Sequence, residues 1–570
     1  RRPPRAPPAE WDSERAGPMR LIDRRLGLIF CGFALLLSVA LVRAFWLQGV
    51  RGGELRAQAR TQQVTTVEVP GERGRVIDRN GKVLAVSEDA ATVIATPYQV
   101  KNPELTAERL AKVLPVSRAE LEDALDDRES GFAYLAHKVD LDDADQVEKM
   151  DITGIDTLPD SKRLYPQGSL AAQVIGAVGS ENEGLTGLEQ AEDEVLGGSN
   201  GEQEVVHDAR GDPIRFDTVK PPSVGDDIGV TLDAAIQGKA EQALAAAGEQ
   251  YDAKGASAIV MNPETGDVLA MANWPGYDPA DLEDATEEAL ANRATGFTYE
   301  PGSTFKAFTV GAALEEGLVK PNTEFHLPST IQVADREIEE SHARPPIDAT
   351  VAEILAQSSN VGAVTIGLET GAERFDAWVR KLGFGEPTGI DYPGEEQGIV
   401  PEVDEYSGST MGNLPIGQGL SVTPMQMAAA YSAIANGGIL RTPRLISSIG
   451  GEPVPPDTEG ERVYSERTTK QLRTMLEGVL AAGGTASEVS VPGYVLAGKT
   501  GTAEKAENGG YSESKYVASF VGFAPAQDPQ LLVAVIVDEP TYVHTGGEVA
   551  APVFGEIAEF ALPYLGISPN

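Results

Sequence analysis

The sequence predicts a multidomain chain of mixed α+β and α/β character. It should hold a single N-terminal transmembrane helix, an elongated mixed region, and a larger domain whose antiparallel sheet carries helices on both faces plus a helical lobe. Three observations lead there. The chain has 570 residues, whereas one hydrophobic core stops growing near roughly 250 to 300. A long apolar run occurs once, near the start. Strand-like runs around residues 258–272 and 517–537 bracket an Ala-rich helical stretch, so a sheet assembled from both ends with helices inserted between them is expected.

Residues 26–47 form the apolar run, close to the ~20 residues a helix needs to cross a bilayer. Arg43 near its far end can snorkel to the interface, with Phe45 and Trp46 in the aromatic belt. A cleaved signal peptide is the rival reading, and the length of the run and the lack of a small-residue cleavage site oppose it. Seven arginines face four carboxylates ahead of the run. The basic tail 1–25 is therefore expected in the cytoplasm and everything after residue 47 outside it.

Residues 48–225 are dense in turn signals. Asn80-Gly81 between two short apolar runs predicts a two-residue type I′ hairpin. Gly- and Pro-rich stretches at 197–201 and 221–223 place a boundary near 225, ahead of a domain over 226–565. A net charge of -41 argues against a phosphate-binding surface, so nucleic acid is not an expected partner. Cys31 is the single cysteine and the five histidines are scattered, so no metal site and no cofactor are expected.

Chemistry concentrates in three short motifs. Ser303 follows Pro301-Gly302 and precedes an apolar helical run, and Lys306 three residues on shares its face. A serine needs an adjacent base, and a desolvated lysine can be one. Taken alone the spacing is weak, because Ser512-x-x-Lys515 repeats it in what reads as a polar loop. Ser358-x-Asn360 falls at a corner between helices, where either it faces a cleft or its residues merely cap the next helix; Ser180-x-Asn182 repeats that triplet. Lys499-Thr500-Gly501-Thr502 ends a strand-like run: it offers a fixed charge, hydroxyl donors, and a glycine that admits close approach. Three motifs in this order and these contexts outweigh coincidence.

The chain resembles class B penicillin-binding proteins, from the anchor to about residue 555. Beyond the three motifs the likeness rests on Arg73-Gly-Arg75, Arg163-x-Tyr165-Pro, Gly184-x-x-Gly187-x-Glu189, Leu232-Asp233, Asn262-Pro-x-Thr265-Gly, Asn292-Arg293, Gly417-Gln-Gly419 and Ala551-Pro-Val-Phe554. The resemblance implies a pedestal of the family's dimerisation type over 48–225, a β-lactamase-like transpeptidase fold over 226–565, and cell-wall peptides ending in D-Ala-D-Ala as substrate. It implies Ser303 as nucleophile, Lys306 as base and Ser358 as proton relay. Asn360 would contact Lys306 and the substrate amide, and Lys499 would support the relay. Thr500, Gly501 and Thr502 would bind the terminal carboxylate, with the N–H groups of Ser303 and Thr502 as oxyanion hole.

The implied partners are lipid-linked peptidoglycan precursor, nascent glycan strands, β-lactam antibiotics, a membrane glycan polymerase and other division proteins. No glycosyltransferase-like stretch precedes the pedestal in this sequence, as in a monofunctional transpeptidase. Residues 516–525 look more like the septal, cell-division branch than the elongation branch. A β-lactamase would share the motifs without the anchor and pedestal. A non-catalytic β-lactam sensor or division scaffold is the rival outside enzymes.

Overall fold

The computed structural model of the chain describes residues 17–53, 64–69, 71–128, 130–207, 213–456, 459–507 and 510–569. The first sixteen residues of the expected cytoplasmic tail lie outside the described residues. Two compact units emerge, one drawn from 1–69 with 201–221, the other from 70–200 with 222–570.

In the first unit, helix α1 (Gly17–Phe45) runs on into a π-helical turn at Trp46–Val50. Its stretch Arg24–Val50 is long and apolar enough to cross a membrane. The same unit holds a three-stranded antiparallel sheet of Val64–Val69, Gly201–His207 and Pro213–Lys220.

The second unit contains two main sheets. One runs through Glu452–Pro453, Ile446–Ile449, Ile228–Val230, Val76–Ile77, Val83–Ala95 and Ala133–Asp140, with Ile155–Leu164 also on Val83–Ala95. Ile228–Val230 pairs in parallel with Val76–Ile77 and antiparallel with Ile446–Ile449, so this sheet bridges the segment near residue 225. The Asn80-Gly81 hairpin forms, but not as a two-residue type I′ turn. Asp78 N–H donates to Lys82 O, which leaves three residues in the loop, and only Gly81 takes a positive φ (+85°). The Asp78 carboxylate selects this longer turn by accepting the N–H groups of Asn80 and Lys82 at 2.8 Å each. Its other oxygen accepts Ala234 N–H at the start of helix α2 (Ala234–Gln250), fastening pedestal to sheet.

Family-like positions outside the three motifs supply a second fastening. Arg73 and Arg163 each donate to the carboxylate of Glu189, at 2.9 and 2.7 Å, and Glu189 is wholly buried. Removing one partner of such a cluster leaves uncompensated charge in a low dielectric. Glu189→Ala is expected to cost about 3–5 kcal/mol, read as a lowered midpoint in chemical denaturation.

The other sheet is the expected one. Strands β1 (Gly255–Met261), β2 (Val268–Trp274), β3 (Ala497–Glu507), β4 (Gly510–Ala524) and β5 (Leu531–Asp538) lie in the order β2-β1-β5-β4-β3, every pair antiparallel. All residues of β5 are buried, so both of its faces are covered. Helix α2 and the C-terminal helix Gly546–Tyr564 pack together on the sheet, while Pro424–Ala435 packs against β1, β4 and β5. Between them helix α3 (Lys306–Glu315) packs on α4 (Asn360–Thr370) in the helical lobe. The strand carrying Lys499 is thereby left at the edge, facing that lobe.

Candidate active site

Ser303 sits on a single 3₁₀ turn, Gly302–Phe305, that leads into α3 at Lys306. Ser303 thus opens a continuous helical segment, as its sequence context predicts, with the first turn 3₁₀ rather than α and Gly302 at φ +54°. Two glycines elsewhere let the turn approach its neighbours. A Cβ on Gly501 of β3 would meet Pro301 O and Thr304 Cγ2 at 2.9 Å, and one on Gly417 would meet Gly302 N at 2.8 Å. Gly302 N–H donates to Gly417 O at 3.0 Å. Gly501 therefore makes room both for Ser519 Oγ on the neighbouring strand and for the chain's own serine-bearing turn. Ser303 is half-buried, and its hydroxyl has no hydrogen bond among the described residues.

Lys306 is buried, and its ammonium nitrogen lies 2.6 Å from Ser358 O, 2.6 Å from Asn360 Oδ1 and 3.3 Å from Ser358 Oγ. The two short partners only accept. A neutral amine has two N–H bonds and one lone pair, so these partners take its protons and leave the lone pair for a hydroxyl. Burial brings Lys306 down to about 7, against the opposing pull of the Glu340 carboxylate. No hydrogen bond joins Lys306 to Ser303.

The Ser358 corner is held by its surroundings. Ser358 has φ +60°, a left-handed conformation unfavourable for a side chain. Ser359, not Asn360, caps α4 by accepting Gly362 N–H at 3.0 Å, which frees the Asn360 amide. Asn360 Nδ2 donates to Glu339 O at 2.8 Å, turning Oδ1 toward Lys306. Glu340, absent from the sequence-level site, anchors the corner. Its carboxylate accepts Asn360 N–H and Ser359 Oγ–H at 2.6 Å each and pairs with Arg344 at 2.5 Å. In the sequence it belongs to the acidic run 335–340, which reads as a solvated face.

Glu340→Gln is expected to slow acylation about ten- to hundredfold, since misplacement near 1 Å costs that much. Because Glu340 holds the Lys306 pKa up, its neutralisation should also move the acid limb of the rate below pH 7. Glu340→Asp should restore both in part. A pH–rate profile of the three proteins checks this.

Lys499 is also fully buried, and its pKa is driven far down, first by burial and then by the charge of Lys306. Lys499 Nζ lies 3.2 Å from Thr500 O, Thr500 Oγ1 is 2.6 Å from Thr485 Oγ1, and the exposed Thr502 accepts Gly546 N–H at 3.1 Å. Ser303, Lys306, Ser358, Asn360 and Lys499 thus converge from the 3₁₀ turn, the lobe and the edge strand.

The repeats of the motifs do not. Ser512 lies on β4 rather than in a loop, and Lys515 pairs with Glu507 at 3.0 Å. Ser180 and Asn182 sit in the pedestal, where Asn182 O accepts Arg73.

A serine on a turn, a desolvated lysine one turn on, a Ser-x-Asn corner and a Lys-Thr-Gly edge strand define an acyl-transferring serine enzyme. Comparison with known proteins agrees. Residues 256–559 match the penicillin binding protein transpeptidase domain, and residues 68–230 the penicillin-binding protein dimerisation domain. Stage V sporulation protein D of Bacillus subtilis is 36% identical over 564 residues, covering 96% of this chain and 87% of that protein. Peptidoglycan D,D-transpeptidase FtsI of Escherichia coli is 32% identical over 556 residues, covering 95% and 92%. Among solved structures, penicillin binding protein 3 of Mycobacterium tuberculosis complexed with aztreonam superimposes with a TM-score of 0.69 at 30% identity, covering 88% and 98%. The chain belongs to the penicillin-binding proteins that join a dimerisation domain to a transpeptidase domain, and it is a serine transpeptidase of that family.

Proposed function

We propose that this protein cross-links peptidoglycan stem peptides through an acyl-enzyme on Ser303. The observation that carries the reading is the buried Lys306 amine, held by two pure acceptors one turn from an unengaged serine hydroxyl. Neutral Lys306 takes the Ser303 proton as Oγ attacks the penultimate D-Ala carbonyl. The N–H groups of Ser303 and Thr502 receive the oxyanion. The C–N bond breaks, the proton passes through Ser358 to the departing D-Ala amine, and an ester remains. An acceptor amine then attacks that ester, its proton returning along the same path as Ser303 Oγ leaves. Lys499 supports the relay electrostatically, Asn360 orients Lys306 and the substrate amide, and Thr500 and Thr502 hold the terminal carboxylate over Gly501. β-Lactams, which carry a comparable acyl bond, are trapped at the same serine.

Helix α1 anchors the chain in the cell membrane with the N-terminus in the cytoplasm and the catalytic domain outside. The lipid-linked precursor and nascent glycan reach it there, beside a membrane glycan polymerase and other division proteins. Likeness to FtsI and to Stage V sporulation protein D supports septal synthesis during division. Purified protein given lipid-linked precursor and a polymerase should yield cross-linked dimer peptides; none under any condition would leave a β-lactam sensor or scaffold. Depletion should give filaments, whereas rounding would place it in elongation.

A further inference from the structure

Among the family-like positions, Asn292-Arg293 lies outside the three motifs, and its arginine ends on a buried carboxylate. Arg293 N–H donates to Asn273 Oδ1 on β2 at 2.8 Å, which fixes its root, and its guanidinium lies 2.5 Å from Asp538 Oδ2 at the end of β5. Gly255, the partner of Asp538 on β1, leaves the room: a Cβ there would meet Arg293 Cζ at 2.6 Å. Asp538 holds a second cation. Its Oδ1 lies 2.7 Å from Lys505 Nζ, and the same ammonium lies 2.7 Å from Glu539 Oε1. For stability alone apolar residues would fill such a place as well, whereas charge-assisted hydrogen bonds add direction.

Lys505 comes to this carboxylate from the edge strand. It follows Thr502 on β3 at the point where the ladder to β4 breaks: Glu504 pairs with Tyr516 but Ala506 with Tyr511, so residues 512–515 of β4 bulge opposite Lys505 alone. Backbone pairing is interrupted there, and the Lys505 ammonium reaches across β4 to β5 instead. Phe297 closes the ring of contacts. Arg293 Cζ stands 4.3 Å and Lys505 Nζ 5.9 Å from its ring centroid, both within reach of its π face. Phe297 begins the short segment that runs, through the backbone pairing of Tyr299 with Val422, into the Ser303 turn.

One buried carboxylate thus ties together two stretches of backbone: the half of β3 next to Thr502, and the lead-in to Ser303. These are the stretches that present the two N–H groups assigned to the oxyanion. An oxyanion hole works only when both donors meet the same oxygen, so their mutual placement has to be held from outside the groove as well as within it.

We propose that Asp538, Arg293 and Lys505 form a clamp that sets the spacing of the two oxyanion donors, with Lys505 as a positioning residue for acylation. The inference rests on the transpeptidase reading above. Lys505→Met removes one cation and leaves Asp538 paired with Arg293, so the fold should survive. Stopped-flow acylation by benzylpenicillin separates the non-covalent binding constant from the acylation rate constant. In Lys505→Met the rate constant should fall about ten- to hundredfold, the cost of a misplacement near 1 Å, with the binding constant unchanged. The ester carbonyl stretch of the acyl-enzyme, which hydrogen bonds from both donors lower, should rise in frequency, and Lys505→Arg should restore rate and frequency together. An unchanged rate constant, a loss confined to binding, a carbonyl band that stays in place, or a defect that arginine does not repair would overturn the clamp. Phe297→Leu, which leaves every charge in place, should also slow acylation and raise the band; should Lys505→Met not fold, this variant decides, and a wild-type rate in it overturns the clamp. Penicillin acylation of wild type at Ser303 with no effect of either substitution sinks the clamp and spares the transpeptidase reading; no penicillin acylation of wild type sinks that reading itself.

Discussion

Ser303→Ala is expected to abolish covalent labelling by a fluorescent penicillin while leaving the thermal midpoint where it was. The first half follows from chemistry, since no ester forms without Oγ and the other Ser-x-x-Lys lysine is tied to Glu507 on an exposed hairpin. The second follows from packing. The Ser303 hydroxyl is half-buried and makes no hydrogen bond among the described residues, so its removal breaks nothing and falls within the ~0.5 kcal/mol of a neutral substitution. Loss of label together with stability would indicate misfolding. Label that persists and maps to Ser512 would remove Ser303 from the mechanism.

Lys306→Ala should slow acylation by about 10²–10⁴-fold, the range that general-base assistance supplies. The same residue sets the pH dependence. Burial lowers the Lys306 pKa to about 7, so the neutral, proton-accepting form predominates above that pH and the charged form below it. Wild-type acylation should therefore fall about tenfold per pH unit on the acid side of 7, as a single ionisation requires. In Lys306→Ala the residual rate should lose that limb. A limb that survived the substitution would transfer the titration to Lys499, whose pKa is also depressed.

Much of this is legible in the sequence itself. The hairpins 258–272 and 517–537 carry their register in apolar alternation and turn residues, and they pair as read. The three motifs mark the serine-bearing turn, the corner and the edge strand, because each couples a reactive side chain to a local element. What stayed hidden was assembled across the chain. Glu340 lies twenty residues from the asparagine it holds, and its acidic neighbours disguise it. Lys505 stands close to Thr502 in the sequence, but the carboxylate it shares with Arg293 lies on another strand. The Asn80-Gly81 turn departs from the type its dipeptide predicts because Asp78, outside the dipeptide, fixes its length.

The glycines around the Ser303 turn carry an evolutionary consequence. Gly302 touches Gly417, and Gly501 lies against Pro301, through main-chain atoms. Drug escape by replacing a side chain is closed at such positions, for there is no side chain to replace and no room to add one. Under antibiotic selection, heritable variation should gather instead in the residues bordering the groove, and an inhibitor that rests on this glycine framework would confront the part of the protein least free to change.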